Sequence, residues 1–379
     1  MQRKSVFNLL IVVVGLSLIN CSGTKNVTNG LTVRSLKETF KTDFLIGTAL
    51  SAEQIAEKDS SAARLVPQQF NVVTPENVMK AEIIHPQWGE YNFVPGNQLV
   101  DYARKNDLEI SATPLIWHSQ LPPFLEKIND ADSVRQYFAD HINTVAGWYD
   151  GKVYSWEVVN EALNEDGSLR NTLFLQKLGA DYILEAFRLA QKAAPRTKLY
   201  YNDYNIEQPR KRAGAVAMIK KIQAAGVRID GVGIQGHWNV NNVPMLYIEQ
   251  SIKEFAALGI KVAITELDLS VLPSPYGRNT SADISQTAAY NARMNPYTGG
   301  LPDSMQQSLA TAYARLFNLF LKYKDHISRV TFWGVNDINS WLNDFPVRGR
   351  TDYPLLFDRL YQPKPAFYKV IETKAQKDQ

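Results

Sequence analysis

From about residue 34 onward, short apolar runs rich in β-branched and aromatic residues alternate with longer amphipathic stretches, to the end of the chain. That alternation predicts parallel βα units. Strands are predicted at 44–50, 70–74, 109–117, 153–160, 198–202, 231–236, 261–266 and 330–335. Helices are predicted at 52–65, 97–106, 133–149, 179–193, 209–225, 245–258, 304–324 and 364–374, with Pro195 following the fourth and Gly226 the fifth. Eight such pairs in one continuous run predict an α/β fold, a single-domain (β/α)8 TIM barrel over residues 34–375. An open doubly wound sheet fits less well, and no Gly-x-Gly-x-x-Gly turn follows the first strand.

The polar residues fall at one end of this pattern. Glu76-Asn77, His118, Asn160-Glu161, Asn202-Asp203, Gln235 with His237, Glu266 with Asp268, and Trp333 with Asp337 all lie at or just past the C-terminal ends of predicted strands. A single polar strand end is ordinary turn chemistry. Seven together mark the rim where barrel active sites are built.

Composition changes the picture only at the N-terminus. The chain has 379 residues, 45% hydrophobic and 21% charged, enough apolar material for one large core. Its net charge of +3, from 41 basic and 38 acidic residues, gives no footprint for a polyanion, and no basic block is interleaved with aromatics, so nucleic acid is not an expected partner. A monomer is the expectation. Residues 1–20 begin with Arg3-Lys4 and continue through an apolar stretch of about 14 residues, short of the roughly 20 that span a bilayer. This reads as a signal peptide. Leu18-Ile19-Asn20-Cys21 resembles a bacterial lipoprotein cleavage site, although Asn20 is larger than the residue that usually precedes the cysteine. Cys21 would then carry a lipid, and the small polar residues 21–33 would tether the barrel to it. The expected location is the cell envelope, lipid-anchored on a periplasmic or surface face, or else secreted, with membrane contact only through Cys21.

Cys21 is the only cysteine, so no internal disulfide or cysteine-rich metal site can form. Five histidines without a His-Glu-x-x-His pair argue against a zinc hydrolase. No cofactor and no metal are expected. His85, His141 and His326 lie away from the strand ends and read as surface or packing residues, and Trp148 and Trp156 read as core or helix-packing rings.

Two glutamates carry candidate chemistry. Glycoside hydrolysis needs one carboxylic acid to protonate the leaving oxygen and a second carboxylate to attack or to activate water. Glu161 closes the fourth predicted strand and Glu266 the seventh, and these strands face each other across a barrel rim. Asn160 stands beside Glu161 where an amide can hold a sugar 2-hydroxyl. Glu266-Leu267-Asp268 places two carboxylates on one side of an extended segment, where His237 can bridge them and keep Glu266 ionised. Like charges about 5.5 Å apart at an effective dielectric near 20 repel by roughly 3 kcal/mol, about two pKa units. On that basis the charge of Glu266 is expected to keep Glu161 protonated near neutral pH. Glu157, inside the same strand, reads as a structural carboxylate with a hydrogen-bonded partner.

Seven segments, in order, resemble the endo-β-1,4-xylanases of glycoside hydrolase family 10 over residues 34–374: Val73-Thr74-Pro75-Glu76-Asn77-Val78-Met79-Lys80, Trp117-His118-Ser119-Gln120-Leu121-Pro122, Trp156-Glu157-Val158-Val159-Asn160-Glu161-Ala162, Asn202-Asp203-Tyr204-Asn205, Gly233-Ile234-Gln235-Gly236-His237, Ile264-Thr265-Glu266-Leu267-Asp268 and Phe332-Trp333-Gly334-Val335 with Ser340-Trp341 after it. The resemblance implies cleavage of xylan with retention of configuration, with Glu161 as acid and base and Glu266 as nucleophile. It also implies that Glu76, Asn77, Lys80, Trp117, His118, Asn160, Gln235, His237, Trp333 and Trp341 surround the sugar, with Asp268 supporting His237, and that no metal takes part. Trp117, Trp333 and Trp341 are the expected stacking faces.

One position departs from the family pattern. Thr113 stands four residues before Trp117, where the family usually has histidine. Slower turnover or an altered pH profile is expected from it. The long stretch from Ser270 to Pro302, far beyond an ordinary loop, is expected to wall the cleft and limit which xylan decorations fit. Two competing readings remain from the residues: a related retaining β-glycosidase acting on another β-glycan, and a glycan-binding lipoprotein whose catalysis is weakened by Thr113.

Overall fold

The computed structural model describes residues 35–276 and 282–376. The predicted signal peptide, Cys21 and the tether lie outside the described residues. The strands are β1 (Leu45–Leu50), β2 (Val72–Pro75), β3 (Glu109–Ala112), β4 (Ser155–Asn160), β5 (Lys198–Asp203), β6 (Gly231–Ile234), β7 (His237–Asn239), β8 (Lys261–Ser270) and β9 (Ile327–Phe332). All pairings among them are parallel, β1 bonds to both β2 and β9, and β6 bonds to β8. Eight strands therefore close into the expected (β/α)8 barrel. The three-residue β7 continues the line of β6 after a bend at Gly236, whose φ of +88° suits glycine, and pairs with the outer half of β8.

Local chemistry moves several predicted boundaries. The third strand was expected to run to 117 and ends at Ala112, because Pro114 has no N–H to continue the ladder. Beyond the proline the chain rejoins β4 through Leu115 N to Glu157 O at 2.9 Å and Ile116 N to Val158 O at 3.0 Å. The helix predicted at 52–65 divides into Ala52–Ile55 and Ser60–Gln69, since Ser51 with Gln54 forms a capping box and Asp59 caps a second start. The helix predicted from 179 starts at Tyr182. Before it Leu173–Leu178 forms a helix of its own, ended by Gly179 at φ +80°.

The outer faces of the strands pack under the helices through rings such as Phe138, Phe187, Phe255 and Phe317, all at most 2% exposed. Burying one such ring contributes roughly 2 kcal/mol. Trp156 joins this layer, but Trp148 does not: it is 44% exposed and stacks on Phe93 with centroids 4.5 Å apart. His85 and His141 are packing residues rather than surface ones. Their rings are coplanar within 1°, joined Nδ1 to Nδ1 at 3.2 Å, and flanked by Tyr91 and Tyr137. Inside the barrel, Arg329 and Glu157 form a buried ion pair at 3.3 Å, with the guanidinium over the Tyr200 ring.

Candidate active site

β4 delivers two consecutive side chains to the same cleft. Strand alternation would send Asn160 and Glu161 to opposite faces. Glu161 instead takes φ +55°, a left-handed backbone strained for any residue with a side chain, held by its N–H on Asn202 O at 2.9 Å. The turn brings its carboxylate beside the amide of Asn160, whose Nδ2 lies 3.3 Å from Glu161 Oε1.

Glu161 is buried and accepts from neutral donors only: Trp117 Nε1 at 2.9 Å and Gln235 Nε2 at 3.0 Å, besides Asn160. Burial first, and then the charge of Asp203, raise its pKa to about 7, against the lowering effect of those hydrogen bonds. Glu266 adds the smallest contribution. This corrects the expectation that the charge of Glu266 keeps Glu161 protonated. The stronger charge belongs to Asp203, at the end of β5, which is fully buried, accepts from Tyr201 Oη at 2.5 Å and pairs with Lys211 Nζ at 2.9 Å.

Glu266, in the middle of β8, has the opposite surroundings. Asn202 Nδ2 donates to Oε1 at 2.9 Å, and His237 Nε2 lies 3.1 Å from Oε2. His237 Nδ1 lies 3.0 Å from Asp268 Oδ1, so the ring bridges two carboxylates as expected. Burial acts to lower the pKa of His237, but the charge of Asp268 and the hydrogen bonds to Asp268 and Glu266 outweigh it and raise it to about 10. The ring is therefore an imidazolium at neutral pH. Trp341 Nε1 donates to the other oxygen of Asp268 at 2.8 Å, fixing that carboxylate from behind.

Asn160, Glu161, His237 and Glu266 line one cavity of about 190 Å³, together with Glu76, Asn77, Lys80, Trp117, Gln235, Trp333 and Trp341. Lys80 Nζ is held by Asn77 Oδ1 at 2.9 Å and Gln120 Oε1 at 2.6 Å, 5.0 Å from the centre of the Trp117 ring. Burial lowers the pKa of Lys80 and raises that of Glu76. Asp268 stands behind His237, outside the cavity wall. His118 is the exception among the expected sugar contacts: it does not line the cavity, and its Nε2 lies 3.4 Å from Arg170 Nη1. Its neighbour Trp117 takes the inward position.

Asn202, already marked by its strand end, and Thr265 also shape the site, and Glu157 meets it through Thr113. Thr265 Oγ1 donates to Asn202 Oδ1 at 2.7 Å and so orients the amide that holds Glu266. Gly233 makes room for that amide, because a Cβ there would sit 2.2 Å from Asn202 Oδ1. Thr113, which lines the cavity, donates from Oγ1 to Glu157 Oε2 at 2.5 Å. Asn202-Asp203 at a strand end was the available signal; the pairing of Thr113 with Glu157 had none, because it crosses between strands. A second, larger groove of about 700 Å³ is walled by Glu165 after β4, Tyr204 after β5, Trp238 of β7 and Tyr247 of the helix Met245–Ala256.

Comparison with known proteins agrees with this geometry. Residues 35–373 match the model of glycosyl hydrolase family 10. The chain is 40% identical to endo-1,4-beta-xylanase A of Xylanibacter ruminicola, over 89% of this chain and 93% of the relative. It is 38% identical to a beta-1,4-xylanase of Dictyoglomus thermophilum, over 98% and 99%. Among solved structures, an endoxylanase of the same family from a sugarcane soil metagenome superposes with a TM-score of 0.86 at 39% identity, covering 89% of this chain and 99% of that one. Xylanase 10B of Thermotoga petrophila RKU-1, in complex with xylobiose, superposes at 0.80 with 30% identity, covering 91% and 98%. A closed eight-stranded barrel, two carboxylates in contrasting settings at its rim and a family match across nearly all of the described residues lead to one conclusion: the chain belongs to glycosyl hydrolase family 10.

Proposed function

We propose that this protein is an endo-β-1,4-xylanase that cuts internal bonds of xylan with retention of configuration, with Glu161 as acid and base and Glu266 as nucleophile. The observation that carries the assignment is the contrast between the two carboxylates. Glu161, among neutral donors and raised to about 7, holds a proton to give. Glu266 instead lies between the Asn202 amide and the His237 imidazolium.

In the first step a carboxylate oxygen of Glu266 bonds to the anomeric carbon, the bond to the leaving oxygen breaks, and that oxygen takes the proton of Glu161. In the second step water attacks the same carbon, its proton passes to Glu161, and the ester to Glu266 breaks. Asn160 bonds the 2-hydroxyl of the reacting sugar, while Glu76, Asn77, Lys80 and Gln235 hold the chain on the non-reducing side. Trp333 and Trp341 give it apolar faces.

Reducing-sugar release from xylan, barley β-glucan and carboxymethylcellulose tests the reading. Release from xylan, abolished by Glu266→Ala, is expected; preference for either glucan, or release from xylan equal to that of the variant, would overturn it. The same reading extends to location: Cys21 carries a lipid that anchors the barrel in the cell envelope. A Cys21→Ser variant is expected to leave the membrane fraction, and its retention there would refute the anchor.

A further inference from the structure

Arg170 is held from three sides. Its Nη1 forms an ion pair with Asp283 Oδ2 at 2.9 Å and lies 3.4 Å from His118 Nε2, and its Nη2 donates to Tyr204 Oη at 2.5 Å. The ion pair is shielded, with side chains only 15% and 13% exposed, so it is worth more than a pair at the open surface. Arg170 itself is fixed to the end of β4 by its N–H on Ala162 O at 2.7 Å, one residue past Glu161. His118 is kept neutral, by burial first and then by the charge of Arg170, down to about 4, so its Nε2 can accept from the guanidinium.

The segment that this clasp catches reaches the sugar cleft. Asp283 is flanked by Ala282 and Ile284, and both line the cavity that holds Glu161 and Glu266. They and Pro114 are the aliphatic residues of its lining. A bare pyranose loses little against such a wall. A polar substituent pressed on it gives up its water and gains no hydrogen bond in return.

We propose that His118, Arg170 and Asp283 form a specificity clasp that holds Ala282 and Ile284 as a wall of the cleft, admitting unsubstituted xylosyl units and rejecting units that carry a sugar or uronic acid substituent toward it. The proposal rests on the xylanase reading and deepens it. His118 acts here as a positioning residue, through Arg170, and not as a sugar contact.

The test compares kcat/KM on linear xylohexaose with kcat/KM on a xylo-oligosaccharide bearing one arabinosyl branch. Asp283→Ala opens the clasp. Ile284→Ala trims the wall and leaves the ion pair intact, so it answers the question even where the first variant is poorly folded. Each is expected to raise the branched-to-linear ratio about tenfold, and His118→Ala to raise it less. A general structural defect lowers both activities and leaves the ratio alone. Ratios within about twofold of the parent in Asp283→Ala and Ile284→Ala would overturn the proposal. A parent protein inert on the linear substrate would instead overturn the xylanase reading. The ratio is then taken from dissociation constants of the same two oligosaccharides, with the same outcomes deciding.

Discussion

The side-chain amide of Asn202 donates to Glu266 over 2.9 Å, while the backbone carbonyl of the same Asn202 accepts from Glu161 N over 2.9 Å. One residue of β5 thus sets the position of both carboxylates, which come from β4 and β8. Asn202→Ala is expected to lower kcat about a hundredfold with little change in KM, because reacting atoms displaced by about 1 Å lose that much. Steady-state kinetics on xylo-oligosaccharides checks it; an unchanged kcat would mean that β5 does not register the pair.

The source of the proton on Glu161 predicts a pH effect. In the acid role proposed for it, its carboxyl, raised to about 7, acts only when protonated, so kcat/KM is expected to fall as pH rises through about 7. Asp203 raises that value by its charge. In Asp203→Asn the charge is gone and Lys211 remains, both of which favour ionised Glu161, so the alkaline limb is expected to move to lower pH. A pH profile of kcat/KM on a soluble xylo-oligosaccharide decides the matter, with thermal unfolding to establish that the variant is folded. A limb that stays in place assigns the shift to burial alone.

Thr113 occupies the cleft wall with its hydroxyl turned onto the buried Glu157, whose pKa is raised by burial and by the charge of Glu266. Thr113→Val keeps the shape and removes the donor, leaving Glu157 with Arg329 alone. The expected cost is about 1–3 kcal/mol of stability for an unsatisfied buried acceptor. A fall of about tenfold in kcat/KM on xylan accompanies it, corresponding to roughly 1.4 kcal/mol. Denaturant unfolding and kinetics measure the two. A parent that hydrolyses xylan no faster than Glu266→Ala would contradict both this account of Thr113 and the xylanase reading.

The buried His85 and His141 pair predicts a pH dependence of stability. Burial lowers the folded-state pKa of His85 to about 4 and of His141 to about 3, below the unfolded value of 6.5. Above 6.5 both states are neutral and the rings contribute no pH dependence. As pH falls from 6.5 toward 4 the unfolded chain takes up protons that the folded one refuses, and stability is lost by about 3 kcal/mol per ring. Glu157 and Glu161, with raised values, act in the opposite sense, so the test is a comparison. The double variant His85→Leu, His141→Leu is expected to lose less stability than the parent between pH 6.5 and 4, read by urea unfolding. Parallel pH curves for the two proteins would contradict the assignment.

The sequence makes the barrel legible because each βα pair carries its own periodicity, and it makes the rim legible because polar residues gather where the apolar runs end. Glu161, Glu266, His237 and Asp268 are read this way, and the spacing of Glu266 and Asp268 on one strand is what lets His237 bridge them. What pattern does not expose are contacts between strands. The Asp203 charge on Glu161, the Asn202 amide on Glu266 and the Thr113 bond to Glu157 each join residues of different strands, and their effect depends on burial. His118 adjoins Trp117 in sequence, but its ring lies against Arg170 and is not part of the cavity lining, a placement that sequence adjacency does not reveal.

The assignment of Glu266 as nucleophile is tested most directly by trapping the intermediate. The protein is incubated with a xylobiosyl donor that has fluorine at C2 and a good leaving group, which slows turnover of the ester, and is then digested and analysed by mass spectrometry. A single xylobiosyl adduct on the peptide carrying Glu266, absent in Glu266→Ala, is the predicted result; an adduct on Glu161 or Glu157, or a first product of inverted configuration with no adduct at all, would contradict the account.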